Sequence, residues 1–227
     1  WVPSDLNRGA KVSLGDQVKL VANGRLLIVF GMTALGYGGT FVVFTYLSPL
    51  LTEITGFADR TTAVILLLYG VAIAIGNAIG GRAANRKPVA ALLYMFIAQA
   101  VVLIVLAFTA PFKIAGLVTL FFMGLFAFMS VPGLQVYVVT LAERLSPQAK
   151  DVASAVNIAA FNAGIAIGAY LGGVVNDSVG LIHTTWIGAI MVLGAVLLTA
   201  WARSLENQDQ TRKSIEQSKS ALQWRMN

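Results

Sequence analysis

The sequence predicts an all-α integral membrane domain built of six transmembrane helices, and three observations carry that prediction. Of the 227 residues, 57% are hydrophobic and 11% charged, against roughly 25% charged in an ordinary soluble domain. The charges are confined to the gaps between six charge-free stretches, at 26–52, 61–81, 88–112, 114–142, 152–176 and 178–202. Each stretch covers the ~20 residues that a helix rising 1.5 Å per residue needs to cross the hydrocarbon layer. A membrane β-barrel would instead show shorter segments alternating polar and apolar.

Taken in order, residues 1–25 form a polar connecting loop, 26–203 the membrane domain and 204–227 a polar tail. The first 25 residues hold no apolar core followed by a small-residue cleavage site, so they do not resemble a signal peptide. The chain opens on Trp1-Val2-Pro3 and its first methionine is Met32, within the first span. The simplest expectation is that residues precede it, with Trp1-Val2-Pro3 closing an earlier span. The tail after 203 is charged and amide-rich, too poor in apolar residues for a strong surface helix. It is expected to be a partly disordered end, with Trp224 available for membrane contact.

Basic residues set the orientation. With the N-terminal stretch in the cytoplasm, fourteen of the sixteen Lys and Arg lie on cytoplasmic segments and only Arg60 and Lys113 face outward. The positive-inside rule therefore puts both termini in the cytoplasm of a multi-pass protein of the plasma membrane.

The spans differ in polarity. The third is almost entirely aliphatic and aromatic, with Gln99 its one amide. The sixth is similar, with Trp186 and Trp201 where interfacial rings belong. Both are expected to face lipid, leaving the first, fourth and fifth for a cavity or for one another. Greasy third and sixth members suggest two three-helix units of inverted topology, 26–110 and 114–202, a recurring transporter plan. Gly164, Gly168 and Gly172 recur every fourth residue of the fifth span, as do Gly76 and Gly80 of the second, so each predicts close helix packing. Pro132-Gly133 falls near mid-membrane in the fourth span and reads either as a kink that frees carbonyls or as a tolerated bend.

Composition excludes several chemistries. With no Cys there is no disulfide scaffold, thiolate metal site, Cys nucleophile or redox dithiol. One histidine, His183, cannot build a multi-His metal site, and no carboxylate pair is available to help. No phosphate-binding glycine loop with Lys-Ser/Thr is present, and no Gly-x-Ser-Gly suggests an intramembrane protease. Basic charge scattered between apolar blocks does not make a nucleic-acid surface. The protein is expected to be no enzyme, and to use neither a metal nor another cofactor.

What remains is a neutral binding surface, because none of the six span cores carries Asp, Glu, Lys or Arg. Ion-coupling sites normally need such a group, so a coupling residue would have to lie outside this chain. Thr33, Tyr37, Thr40, Phe44 and Ser48 are spaced 4, 3, 4 and 4 and share one helical face. That stripe could stack on a ligand and bond its hydroxyls. It could equally be Thr and Ser bonding their own backbone with Tyr37 packed between helices. Tyr46 projects elsewhere. Gln135, just past Pro132-Gly133, needs partners if buried, and a polar cavity would supply them. Asn157 and Asn162 lie about 140° apart around the fifth helix, so one small site cannot use both. Asn157, near the glycine stripe, reads better as an interhelical hydrogen bond, and Asn162 is a candidate for either role.

One loop is more specific. Gly80-Gly81-Arg82-Ala83-Ala84-Asn85-Arg86-Lys87 resembles the cytoplasmic signature of the major facilitator superfamily: glycine, variable, small or apolar, small, Asp, Arg. Gly81 and Arg86 match, while Asn85 stands where the family has Asp and cannot carry its charge. Thr45-Tyr46-Leu47-Ser48-Pro49 with Thr55-Gly56-Phe57 resembles the end of the seventh helix in bacterial drug and sugar efflux permeases. The run from Pro132-Gly133-Leu134-Gln135 through Asn157 and Asn162 to Gly172-Gly173 is similar to the tenth and eleventh helices of the arabinose-efflux-like branch. The resemblance covers about 25–203. It implies the C-terminal half, helices seven to twelve, of a twelve-helix proton antiporter in a bacterial inner membrane. It implies alternating-access efflux of neutral sugars or amphipathic drugs, with protons handled by the other half. Tyr37, Tyr46, Gln135, Asn157 and Asn162 would then line the substrate site, and Gly81, Asn85 and Arg86 would belong to the cytoplasmic gate. Two other readings fit the residues alone: a self-contained six-helix homodimeric facilitator or channel, and a truncated protein that transports nothing.

Overall fold

The computed structural model describes residues 14–84 and 87–226. Among them, six helical stretches are long and apolar enough to cross a membrane, as the charge pattern predicts. A short helix, α1 (Leu14–Val21), precedes the first span. The first span is α2 (Gly24–Phe44), started by Asn23, whose side chain accepts from the Arg25 N–H at 3.0 Å. A short α3 (Leu47–Pro49) and a wide turn, Leu50–Ile54, complete it. The second span is α4 (Asp59–Ala84), entered through Gly56 at φ 76°, a backbone region that favours glycine. The third is α5 (Pro88–Thr109), with proline at its first position, where no N–H is needed. The fourth is split into α6 (Lys113–Ala127) and α7 (Ser130–Leu145). The fifth is α8 (Lys150–Ser178), and the sixth runs unbroken through α9 (Thr184–Met226).

Both split spans break where a proline dictates. Pro49 cannot donate to the Thr45 carbonyl and Pro132 cannot donate to that of Phe128, and each ring crowds the carbonyl four residues back. The chain turns at Thr45-Tyr46 and at Phe128-Met129. There Tyr46 N–H reaches back to Val43 O at 3.0 Å and Met129 N–H to Phe126 O at 3.3 Å, three residues away instead of four. The bend expected at Pro132-Gly133 therefore lies one turn earlier.

The two three-helix units are interlocked. The first span packs on the fifth and sixth, the fourth packs on the second and third, and the third meets the sixth, while within the second unit α7 also packs on α8. The exchange of roles, first for fourth and second for fifth, is what paired repeats require. Glycine makes the matching contacts. A Cβ at Gly164, Gly168 or Gly172 would lie 2.4, 2.2 or 2.6 Å from the carbonyl oxygens of Ala34, Gly38 and Val42. On the other side, a Cβ at Gly76 or Gly80 would lie 2.0 or 1.9 Å from those of Leu125 and Met129. Only glycine permits such approach, and dispersion across it supplies cohesion that lipid cannot compete away.

Two expectations need correction. The third and sixth spans do carry bare outer faces, with Tyr94, Phe108, Leu197 and Trp201 exposed. They are not the barest elements. Over their most apolar stretches, 28% of α4 and 22% of α8 is buried, against 72% of α2. A greasy helix can pack on greasy neighbours as readily as on lipid, so hydropathy does not rank exposure. The polar flanks are also more helical than expected. α1 forms inside the connecting loop and buries Leu20. α9 continues to Met226, with Arg212 and Glu216 paired at 3.6 Å one turn apart and Asp209 held by Arg25. Good helix formers and paired charges extend the helix where apolar residues run out.

Gly80→Ala should destabilise the bundle by about 1–3 kcal/mol through overpacking. Gly70→Ala should be neutral or slightly favourable, since nothing lies within 4 Å of a Cβ there. Thermal unfolding of the two variants in detergent compares them directly, and equal midpoints would discount the glycine contacts.

Candidate functional site

The most polar place inside the bundle lies where α2, α7 and α8 meet. Thr33 donates to Asn157 Oδ1 at 2.7 Å, Asn157 Nδ2 donates to Gln135 Oε1 at 3.2 Å, and Gln135 Nε2 donates to Ser154 Oγ. Local helix geometry presents these groups together. Ser154 and Asn157 are three apart on α8 and share a face. Thr33 comes from the middle of α2, and the turn before Pro132 sets the start of α7, which carries Gln135. Asn157 is fully buried and Gln135 partly so. Every hydrogen bond in the chain runs the same way, from Thr33 towards Ser154. The second Nε2 hydrogen of Gln135 and the Ser154 hydroxyl hydrogen are left at its end, both neutral donors.

Beside this chain lies a cage of rings. Tyr37 meets Phe161 edge-on at 4.3 Å and Phe128 at 5.9 Å between centroids, and Phe44 stacks on Tyr69 at 5.7 Å. The Tyr37 hydroxyl is buried beside Ser130 without a hydrogen bond of normal geometry, and the Tyr69 hydroxyl is buried without one. A second buried amide, Gln99, donates to Thr40 Oγ1 at 3.4 Å, and its own oxygen has no partner. Among the described residues no three His, Cys, Asp or Glu side chains cluster as a metal site would require.

The structure sorts the candidate residues. Gln135 and Asn157 are brought together, in direct contact. Tyr37 is packed in the aromatic cage. Tyr46 is spent on packing: a Cβ at Gly172 would lie 2.8 Å from its ring, and its hydroxyl reaches the Ala169 carbonyl at 3.5 Å. Asn162 is exposed on α8, away from Asn157. Gly81 lies in the last turn of α4, 3.9 Å from Pro132 by its notional Cβ. Asn85 and Arg86 lie outside the described residues.

Ser154, Phe128 and Phe161 complete the site without having been singled out from the sequence. Ser154 was findable, since it sits one turn before Asn157. The two phenylalanines were not, because nothing in an apolar helix distinguishes a caged ring from a lipid-facing one. Gln99 was assigned to a lipid-facing span, and its burial against Thr40 corrects that.

Six interlocked helical spans with a neutral polar chain between them describe a multi-pass membrane domain. The chain belongs to the Major Facilitator Superfamily, whose family model matches residues 26–226. It is 69% identical to the MFS-type transporter YtbD of Bacillus subtilis (strain 168), over 92% of this chain and 52% of that protein. It is 31% identical to the inner membrane transport protein YdhP of Escherichia coli (strain K12), over 84% of this chain and 48% of the relative. More distantly, it is 27% identical to a probable sugar efflux transporter of Helicobacter pylori (strain J99 / ATCC 700824), over 78% and 44%. The chain thus spans about half the length of the curated relatives it matches.

Asn157→Ala should destabilise the bundle by about 1–3 kcal/mol, because it leaves Thr33 and Gln135 short of a partner. Thr33→Val should be non-additive with it by about 0.6 kcal/mol or more, the usual scale for hydrogen bonds between membrane helices. Asn162→Ala should change nothing. A double-mutant cycle on unfolding in mixed micelles reads all three.

Proposed function

We propose that the protein is a proton-coupled efflux permease of a bacterial inner membrane, working by alternating access, with this chain as its C-terminal half and both chain ends in the cytoplasm. The observation that carries the reading is the pair of bare spans. α4 and α8 occupy equivalent places in the two repeats and leave most of their surface uncovered. A bundle of half the relatives' length with two equivalent faces uncovered suits closure by a second bundle, against which it could rock.

The chemistry supports a neutral cargo. No span core carries Asp, Glu, Lys or Arg, and the donors at the end of the polar chain select by hydrogen bonding and shape, not charge. Neutral sugars or amphipathic drugs fit both those donors and the aromatic cage. The name of the Helicobacter pylori relative points towards sugars. Gln135, with Ser154, is the proposed substrate contact, and Asn157 and Thr33 position it. Tyr37 and Tyr46 contribute shape, whereas Asn162, exposed on α8 away from Asn157, is assigned to the surface that meets the other half. The coupling carboxylate is assigned to the other half. The loop that holds Gly81, Asn85 and Arg86 is assigned to the cytoplasmic gate.

Two measurements test this. Gln135→Ala should lower efflux driven by a proton gradient roughly tenfold, the scale of one lost hydrogen bond of about 1.4 kcal/mol, with unchanged membrane expression. Unchanged flux would remove Gln135 from the site. An immunoblot against residues 204–227 in source-cell membranes should show a band near twice the 24.1 kDa of this chain. A band at that mass itself would overturn the half-permease reading.

A further inference from the structure

We infer that a cavity at the basic end of the bundle binds a phosphate-bearing anion, the headgroup of an anionic phospholipid. The cavity encloses about 250 Å³ between the start of α5, the end of α7 and α9 just past the apolar stretch. Lys87, Arg144 and Arg203 line it with Glu206, Tyr137 and Asn207. Three cations face one carboxylate, a surplus of two. Glu206 lies 3.9 Å from Arg144, a loose contact, and Lys87 and Arg203 have no ion-pair partner among the described residues. Like charges gathered from three helices around one hollow repel, and an anion between them removes that cost. Asp209, three residues beyond Glu206 on α9, is already engaged by Arg25.

The depth selects the source of the anion. Trp201 is exposed two residues before Arg203, and exposed Trp marks the headgroup level. Pro88, Val89 and Leu141 form an apolar wall to the same cavity, so a ligand with a charged head and an apolar body meets both surfaces. Basic pockets between membrane helices at this depth suit anionic headgroups. Glu206 competes with the ligand for Arg144, which gives the site a sign that a structural role would not have.

The test is native mass spectrometry of the purified full-length protein offered phosphatidylglycerol and phosphatidylcholine in equal amounts. Phosphatidylglycerol should be retained preferentially. Lys87→Ala and Arg203→Ala should each reduce the preference roughly fivefold, Glu206→Gln should increase it, and Arg212→Ala, outside the cavity, should leave it unchanged. Equal thermal midpoints of the variants in phosphatidylcholine nanodiscs would show that they fold. No preference in the native protein, an equal loss with Arg212→Ala, or a decrease with Glu206→Gln would overturn the site. Stabilisation in lipid-free detergent by millimolar inorganic phosphate equal to that by short-chain phosphatidylglycerol would overturn the lipid assignment in favour of a free anion.

Discussion

Backbone approach at glycine is the constraint on which this bundle depends. Between membrane helices the hydrophobic effect contributes little, because lipid tails are as apolar as leucine. Cohesion must come from close contact, and contact this close requires that one surface lack side chains. The stripe on α8 receives the carbonyls of Ala34, Gly38 and Val42, and the pair on α4 receives those of Leu125 and Met129. The two seams are equivalent by repeat: the first span of each unit lies in the glycine groove of the second span of the other. That arrangement interlocks the repeats and makes α2 the most enclosed span.

Once helices are that close, a polar side chain between them has no water and must find its partner in the bundle. Thr33, Asn157, Gln135 and Ser154 do so in one directional chain across three helices. The chain stops at Gln135 and Ser154 with neutral donors to spare. The same seam that packs α2 on α8 therefore fixes the geometry of the candidate site. A glycine substitution in the seam and an amide substitution in the site act on one unit.

The prolines add controlled breaks. Pro49 and Pro132 each interrupt the first span of a unit, and each break follows from one missing N–H and one crowded carbonyl. The Pro49 break brings Tyr46 onto the glycine surface of α8, and the Pro132 break sets Phe128 into the aromatic cage and α7 with Gln135 into the polar chain. At the ends of the bundle, where water returns, ion pairs replace glycine contacts. Arg25 with Asp209 ties α9 to α2, and Arg144 lies loosely beside Glu206.

Local chemistry was legible residue by residue. The six spans followed from where charges are absent, the seams from glycines four apart, a bend in the fourth span from Pro132 and the pairing of Asn157 from the cost of burying an amide. Three matters were not. The exposure of α4 and α8 depends on which spans cover which, and leucine-rich helices look alike whether they meet lipid or protein. The course of α9 past its apolar stretch goes with Asp209 meeting Arg25, far away in sequence. The partnership of Gln135 with Ser154, and of Gln99 with Thr40, depends on helix rotation about its own axis. By itself, then, the sequence determined the number, length and local shape of the spans, because those are properties of a chain meeting a bilayer. Tertiary structure alone decided which polar groups meet, because in hydrocarbon each must be paired and only the packing of distant segments supplies the partner.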